Sequence, residues 1–163
     1  MNEVSPSDLA ILGEQLGREP RGVYSIAARC GCGKPAVVRT YPRLPDGTPF
    51  PTTYYVTCPR LAAAIGSLES VGVMKDMESR LADDSELQDQ YQRAHERYLA
   101  ERAELGDVPE IEGISAGGMP HRVKCLHVLV GQALACGPGV NPFGDEALVR
   151  IGNWWASGAC LDG

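Results

Sequence analysis

The sequence predicts an α+β fold, a small antiparallel sheet of about three strands covered by five or six helices. Two observations carry that prediction. Short runs rich in Val, Tyr and Thr gather between Gly22 and Cys58, each bounded by Gly or Pro signals. Apolar residues at helical spacing occupy the N-terminal stretch and most of the chain beyond Pro59. Strands grouped in one stretch with helices outside it are the pattern of helices laid over an antiparallel sheet.

Taken in order, Ser5 to Gly17 reads as a first helix, with Ser7 as N-cap, a stripe of Leu9, Leu12 and Leu16, and Gly17 as its stop. Gly22 to Cys30 suits a strand, Cys30-Gly-Cys-Gly-Lys-Pro35 a tight turn, and Ala36 to Tyr41 the returning strand. Tyr41 to Thr52 is a proline-rich loop whose tightest turn falls at Asp46-Gly47. Thr53 to Cys58 is the third strand. Pro59 stands where a helix accepts proline, and the following helix runs to Gly72. Met74 to Leu81 is helical. A longer helix from Glu86 to about Leu105, capped by Asp84 or Ser85, carries Leu87, Tyr91, His95 and Tyr98 on one face. On that face His95 reads as a hydrogen-bonded core histidine. Asp107 to Pro120 is a loop long enough to invite a functional role. Asn141-Pro142 begins a last helix that continues through Trp155, and Trp154 and Trp155 are expected to cover the core.

With 163 residues the chain is expected to form one domain with a core that needs no staples. Its net charge of −6 argues against generic nucleic-acid binding. The charge is uneven. Residues 18–43 carry six Arg or Lys against one acid, whereas residues 75–112 carry twelve acids against five bases. Two solvated faces explain this, or else the basic hairpin docks a protein partner. No leader segment and no membrane-length apolar run is visible, so the expected location is the cytoplasm. Six cysteines in a reducing compartment point to metal binding or thiol chemistry rather than a disulfide framework. Oligomeric state is not predicted.

The richest stretch is Gly117 to Gly144, where cysteines, histidines, basic residues and glycines surround one apolar run. Pro120 disfavours helix at Met119. Val123, Leu126, Val130 and Leu134 then place a helix from near Lys124 to the Gly137-Pro138-Gly139 stop.

Several motifs together carry a family resemblance. They are Arg29-Cys30 with Gly33 and Pro35, Pro49-Phe-Pro-Thr52, Thr57-Cys58-Pro59, and GGMP, RVKCLH and NPFGDEAL within the rich stretch. With these the chain resembles domain of unknown function 501, in its actinobacterial form, from about Leu16 to Trp155. That family has no established activity. Members are encoded near a septum-formation initiator and an exopolyphosphatase, so the resemblance implies a link to cell division or polyphosphate metabolism. Relatives often place a histidine one turn after the Cys-Leu-His motif, where this chain has Gly131-Gln132.

The chemistry-bearing set read from the sequence is Cys30, Cys58, Cys125 and His127. Each cysteine lies where a regular element meets a loop. Three thiolates and an imidazole suit tetrahedral zinc, or an iron–sulfur cluster with one unusual ligand. On this reading the three sulfurs converge. No C-x₂-C knuckle is present, and within a regular helix Cys125 and His127 would point about 200° apart. Both can ligate only if Cys125 lies outside the helix. Buried structural thiols are the plain alternative. In a third reading Cys125 is a nucleophile, activated by a helix N-terminus and by Arg122 and Lys124, with His127, His121 or His95 as base. Arg29, Arg122 and Lys124 are also candidates for holding a phosphate or carboxylate, with Arg29 expected beside one of the other two. Cys136 and Cys160 read as structural or incidental. The leading expectation is a metal-binding protein. A cysteine-dependent enzyme acting on a small anionic substrate and a cell-division adaptor without chemistry are the alternatives.

Overall fold

A computed structural model describes residues 4–156 of the chain. Cys160 lies outside the described residues. Among the described residues the architecture is α+β, with a three-stranded antiparallel sheet and six α-helices.

Helix α1 (Pro6–Leu16) opens with a capping box: the Ser5 hydroxyl accepts the Asp8 N–H, and the Asp8 carboxylate accepts the Ser5 N–H. The cap is therefore Ser5 rather than Ser7. Pro6 fills the first helical position, where its missing N–H costs nothing. Gly17, at φ 70°, ends the helix in the left-handed region.

Strands β1 (Val23–Arg29), β2 (Pro35–Thr40) and β3 (Tyr54–Val56) follow in spatial order β1-β2-β3, so β3 is an edge strand. The turn at Cys30 closes with the Gly33 N–H on the Cys30 carbonyl and the Cys30 N–H on the Lys34 carbonyl. Alternation along the strands divides the apolar residues between two layers. Val38 packs with Leu12 of α1 and Ile26 on one face, while Val37, Tyr54 and Val56 join the main core on the other.

Beyond the sheet come α2 (Pro59–Ser70), α3 (Val73–Asp83), α4 (Ser85–Ala103), α5 (Leu126–Cys136) and α6 (Pro142–Ile151). Asp84 caps α4, accepting the N–H groups of Glu86 and Leu87. Asn141 caps α6 through the Gly144 N–H. The last helix stops at Ile151, short of Trp155, because Gly152 takes φ 68°. Trp154 and Trp155 then meet edge to face and pack against the core.

Helix α5 is buried on nearly every side and joins the sheet to the helices. It approaches both neighbours closely. A methyl group at Gly131 would stand 2.7 Å from the Tyr54 carbonyl of β3, and one at Gly144 of α6 would run into the Leu129 carbonyl of α5. Within this packing, buried Gln132 donates to the Ala94 carbonyl and accepts from Asn141. The buried amides thus hold one another and fix the register of α4, α5 and the α6 cap.

The charged segments answer each other inside the molecule. Arg39 meets Glu104 at 3.0 Å, and Arg43 takes both carboxylate oxygens of Glu110. Arg102, buried, donates to the carbonyls of Pro51 and Ile111 and so ties the 107–120 loop to the proline-rich loop. His95 is buried, with Nδ1 2.8 Å from the Ser115 hydroxyl, as expected of a core histidine.

Candidate metal centre

The site begins with a break in regular structure. Lys124 and Cys125 are not helical; Cys125 is the N-cap of α5 at φ −152°, ψ 111°. The helix starts at Leu126, later than the Lys124 expected from periodicity. That extended cap meets the condition under which Cys125 and His127 can share a ligand, since the 100° step of a helix does not separate them. Their atoms Sγ and Nδ1 lie 3.9 Å apart.

The third member comes from α2. Glu69 directs Oε1 to His127 Nδ1 at 3.4 Å, and its Oε2 accepts the Leu126 N–H at 2.9 Å. One carboxylate oxygen thus caps the start of α5 while the other faces the imidazole. The opposite ring nitrogen, His127 Nε2, lies 3.2 Å from the Ala62 carbonyl, also on α2. A carbonyl only accepts, so Nε2 carries a proton, and Nδ1 is the nitrogen that faces Cys125 and Glu69, its lone pair free there only when the ring is neutral. One donor atom from each of Glu69, Cys125 and His127 lies within 4.8 Å of the others, and all three residues are half-buried.

The electrostatics follow from this convergence. The imidazole beside it holds the Cys125 thiol below its ordinary value, and the first-turn amides of His127 and Val128 add to that effect. His127 is raised to about 9, first by the Cys125 sulfur and then by the Glu69 charge against the cost of burial. Both shifts have one cause: the Cys125 sulfur and the Glu69 carboxylate meet the same ring nitrogen, where they stabilise positive charge. By contrast burial pushes the Cys136 thiol up to about 12, beside Glu101.

A cavity of about 350 Å³ opens beside the cluster. Its walls are Thr52, Tyr54, Tyr55 and Val56 from the edge of the sheet, Ala62 from α2 and Val128 from α5, with Cys125 and His127 at the margin.

The other candidates lie elsewhere in their contacts. Cys30 and Cys58 are buried in the main core and contribute no atom to the Glu69–Cys125–His127 group. Arg29 grips both oxygens of Asp8 and the Gly33 carbonyl, on the α1 side of the sheet. Arg122 spends its Nε on Glu78 of α3 at 2.9 Å, and Lys124, exposed, adds its field to the same carboxylate. Arg29 and Arg122 are thus each paired with a carboxylate of the chain, on different elements. Glu69 was missed from the sequence. A signal existed, since it stands in the last turn of α2, where an acid opposes the helix dipole and needs a reason to be there.

The chain is thus an α+β protein in which a thiol, an imidazole and a carboxylate converge at the start of a buried helix. The family follows from the sequence match. A model described as protein of unknown function, DUF501, covers residues 26–149, and the chain belongs to that family. No curated protein and no solved structure is significantly similar to the chain. Among the described residues no helix is long and apolar enough to cross a membrane.

Proposed function

We propose that this protein binds one zinc ion through Cys125 Sγ, His127 Nδ1 and Glu69 Oε1, leaving a coordination position open toward the adjoining cavity. The observation that carries the reading is the use of a single ring nitrogen. Sγ at 3.9 Å and Oε1 at 3.4 Å both approach Nδ1, while Nε2 is committed to Ala62. Zinc bonded to sulfur at about 2.3 Å and to nitrogen or oxygen at about 2.0–2.2 Å brings its ligand atoms to separations near these. The outer contacts fit as well. A ligating histidine donates its other N–H to a carbonyl or carboxylate, and a ligating carboxylate is itself hydrogen-bonded; Ala62 and the Leu126 N–H fill those roles. Three protein ligands with one position open is the arrangement of a zinc ion that acts on a bound molecule. One thiolate is too few for an iron–sulfur cluster, which draws mainly on cysteines, so zinc is the form we favour.

A cysteine nucleophile is the second reading, supported by the lowered thiol and the neighbouring imidazole. A catalytic relay places its nucleophile on one ring nitrogen and its orienting carboxylate on the other. Here both stand at Nδ1, which favours a bound cation over a relay.

Elemental analysis of protein purified without chelator tests the proposal. About one equivalent of zinc is expected in the wild type and none in Cys125→Ser. A protein that takes up no zinc or cobalt when titrated under reducing conditions would overturn it.

A further inference from the structure

We infer that the open position of the zinc site takes a small uncharged carbonyl compound with an apolar body about the size of a phenyl ring. This rests on the zinc reading above and assigns the ligand class to the same site.

The first argument is charge. A thiolate and a carboxylate neutralise a divalent zinc, and His127 as a ligand is neutral. The assembled centre has no net charge with which to draw an anion. No Lys or Arg is among the residues that line the cavity. The cations nearest in sequence are turned to other work, Arg122 on Glu78 and Lys124 in the field of the same carboxylate. A phosphate or carboxylate ligand would lose its hydration and gain no counter-charge in return.

The second argument is the wall. Tyr55, Val56, Ala62 and Val128 contribute to a mainly apolar lining, and the volume of about 350 Å³ is at the small end of ligand cavities. A few polar groups remain to orient a guest. They are the metal itself, the Thr52 hydroxyl, and the Val56 backbone at the edge strand β3. A carbonyl oxygen is a neutral donor that zinc polarises. An amide adds an N–H that a strand edge can accept.

Cobalt-substituted protein gives the test, because its visible spectrum reports the coordination sphere without needing a reaction. Two neutral amides, benzamide and acetamide, share the same carbonyl head and differ in apolar body. Benzamide is expected to shift the spectrum at concentrations at least tenfold lower than acetamide, and inorganic phosphate to leave it unchanged. Thr52→Trp, which fills the cavity from a residue that is not a metal ligand, is expected to keep the cobalt spectrum and abolish the preference for benzamide. Equal affinities for the two amides, or a shift with phosphate, would overturn the inference, as would a preference that survives in folded Thr52→Trp. The comparison of the three small molecules on wild-type protein stands even if that variant fails to fold. Absence of any cobalt spectrum would instead refute the zinc reading.

Discussion

Among the described residues two helices begin on a cysteine, and the two starts have come to opposite ends. Cys58 is the N-cap of α2 and Cys125 the N-cap of α5; both have extended backbone, and neither side chain makes a capping hydrogen bond. Cys58 is completely buried among apolar side chains, with Pro59 removing the first N–H of its helix. Cys125 is half-buried beside a cavity, and the Leu126 N–H at the start of its helix is satisfied by a distant residue. That residue is Glu69, which comes from the far end of the helix that Cys58 begins. A cysteine at a helix start is thus not in itself a site. What makes one is the second and third donor, and here they arrive because α5 must be capped from outside.

The sharpest way to break the comparison is through metal affinity. Replacing Cys125 by Ser, His127 by Ala or Glu69 by Ala is expected to lower zinc affinity by more than the roughly 10–100-fold that follows loss of an outer contact. Cys58→Ser is expected to leave it unchanged. Competition against a chromogenic zinc chelator measures all four variants. Loss of zinc in Cys58→Ser with the fold retained would return Cys58 to the ligand set.

Stability should rank the same two cysteines in reverse. Cys58→Ser puts a hydroxyl into a dry core site and is expected to cost about 1–3 kcal/mol, a fall in Tm of roughly 2–4 °C per kcal/mol for a chain of this size. Cys125→Ser, half-solvated, is expected to cost less than about 1 kcal/mol when both are melted in excess chelator. Equal losses would show that the two helix starts are buried alike.

Glu69 separates its two duties. Glu69→Gln keeps an oxygen for the Leu126 N–H but gives up the charge, so zinc affinity falls while the metal-free protein melts near wild type. Glu69→Ala removes the cap as well and is expected to cost about 1 kcal/mol more. Identical melting of the two variants would remove the capping role.

Much of this molecule was legible because its punctuation is local. Pro59 at a first helical turn, Gly72 and Gly137 at helix ends, and Asn141-Pro142 at a start are decided by residues within a turn of one another. Whether Cys125 and His127 can meet was also legible, as a condition on where α5 begins. What could not be read was partnership across the chain. Glu69 reaches Leu126 over 57 positions, and Arg43 finds Glu110 over 67. Spacing carries no information about such meetings. The same gap covers Cys30 and Cys58, alike in sequence setting to Cys125 but buried in the main core, and Arg29, expected beside Arg122 or Lys124. In the fold a sheet and α1 claim Arg29 first.

The smallest effect concerns a third helix start, where α1 is capped entirely from within by Ser5 and Asp8. Asp8 is buried, and the Arg29 guanidinium holds its carboxyl below the ordinary value of 3.8, with the Ser5 backbone N–H adding to the effect against the cost of burial. A carboxyl whose folded value is depressed contributes stability above its unfolded value and loses it as pH falls through the folded one. Asp8→Asn is therefore expected to cost about 0.3–1 kcal/mol near neutrality, the range for an acid in the first turn of a helix. Wild type and variant should converge as the acid limb is descended below 3.8. Urea melts at a series of pH values measure that difference. Zinc affinity at neutral pH should be the same in both, because α1 packs on the opposite face of the sheet from the core that holds α5. A constant gap between the two proteins across the whole acid limb would mean that Asp8 acts by shape rather than by charge.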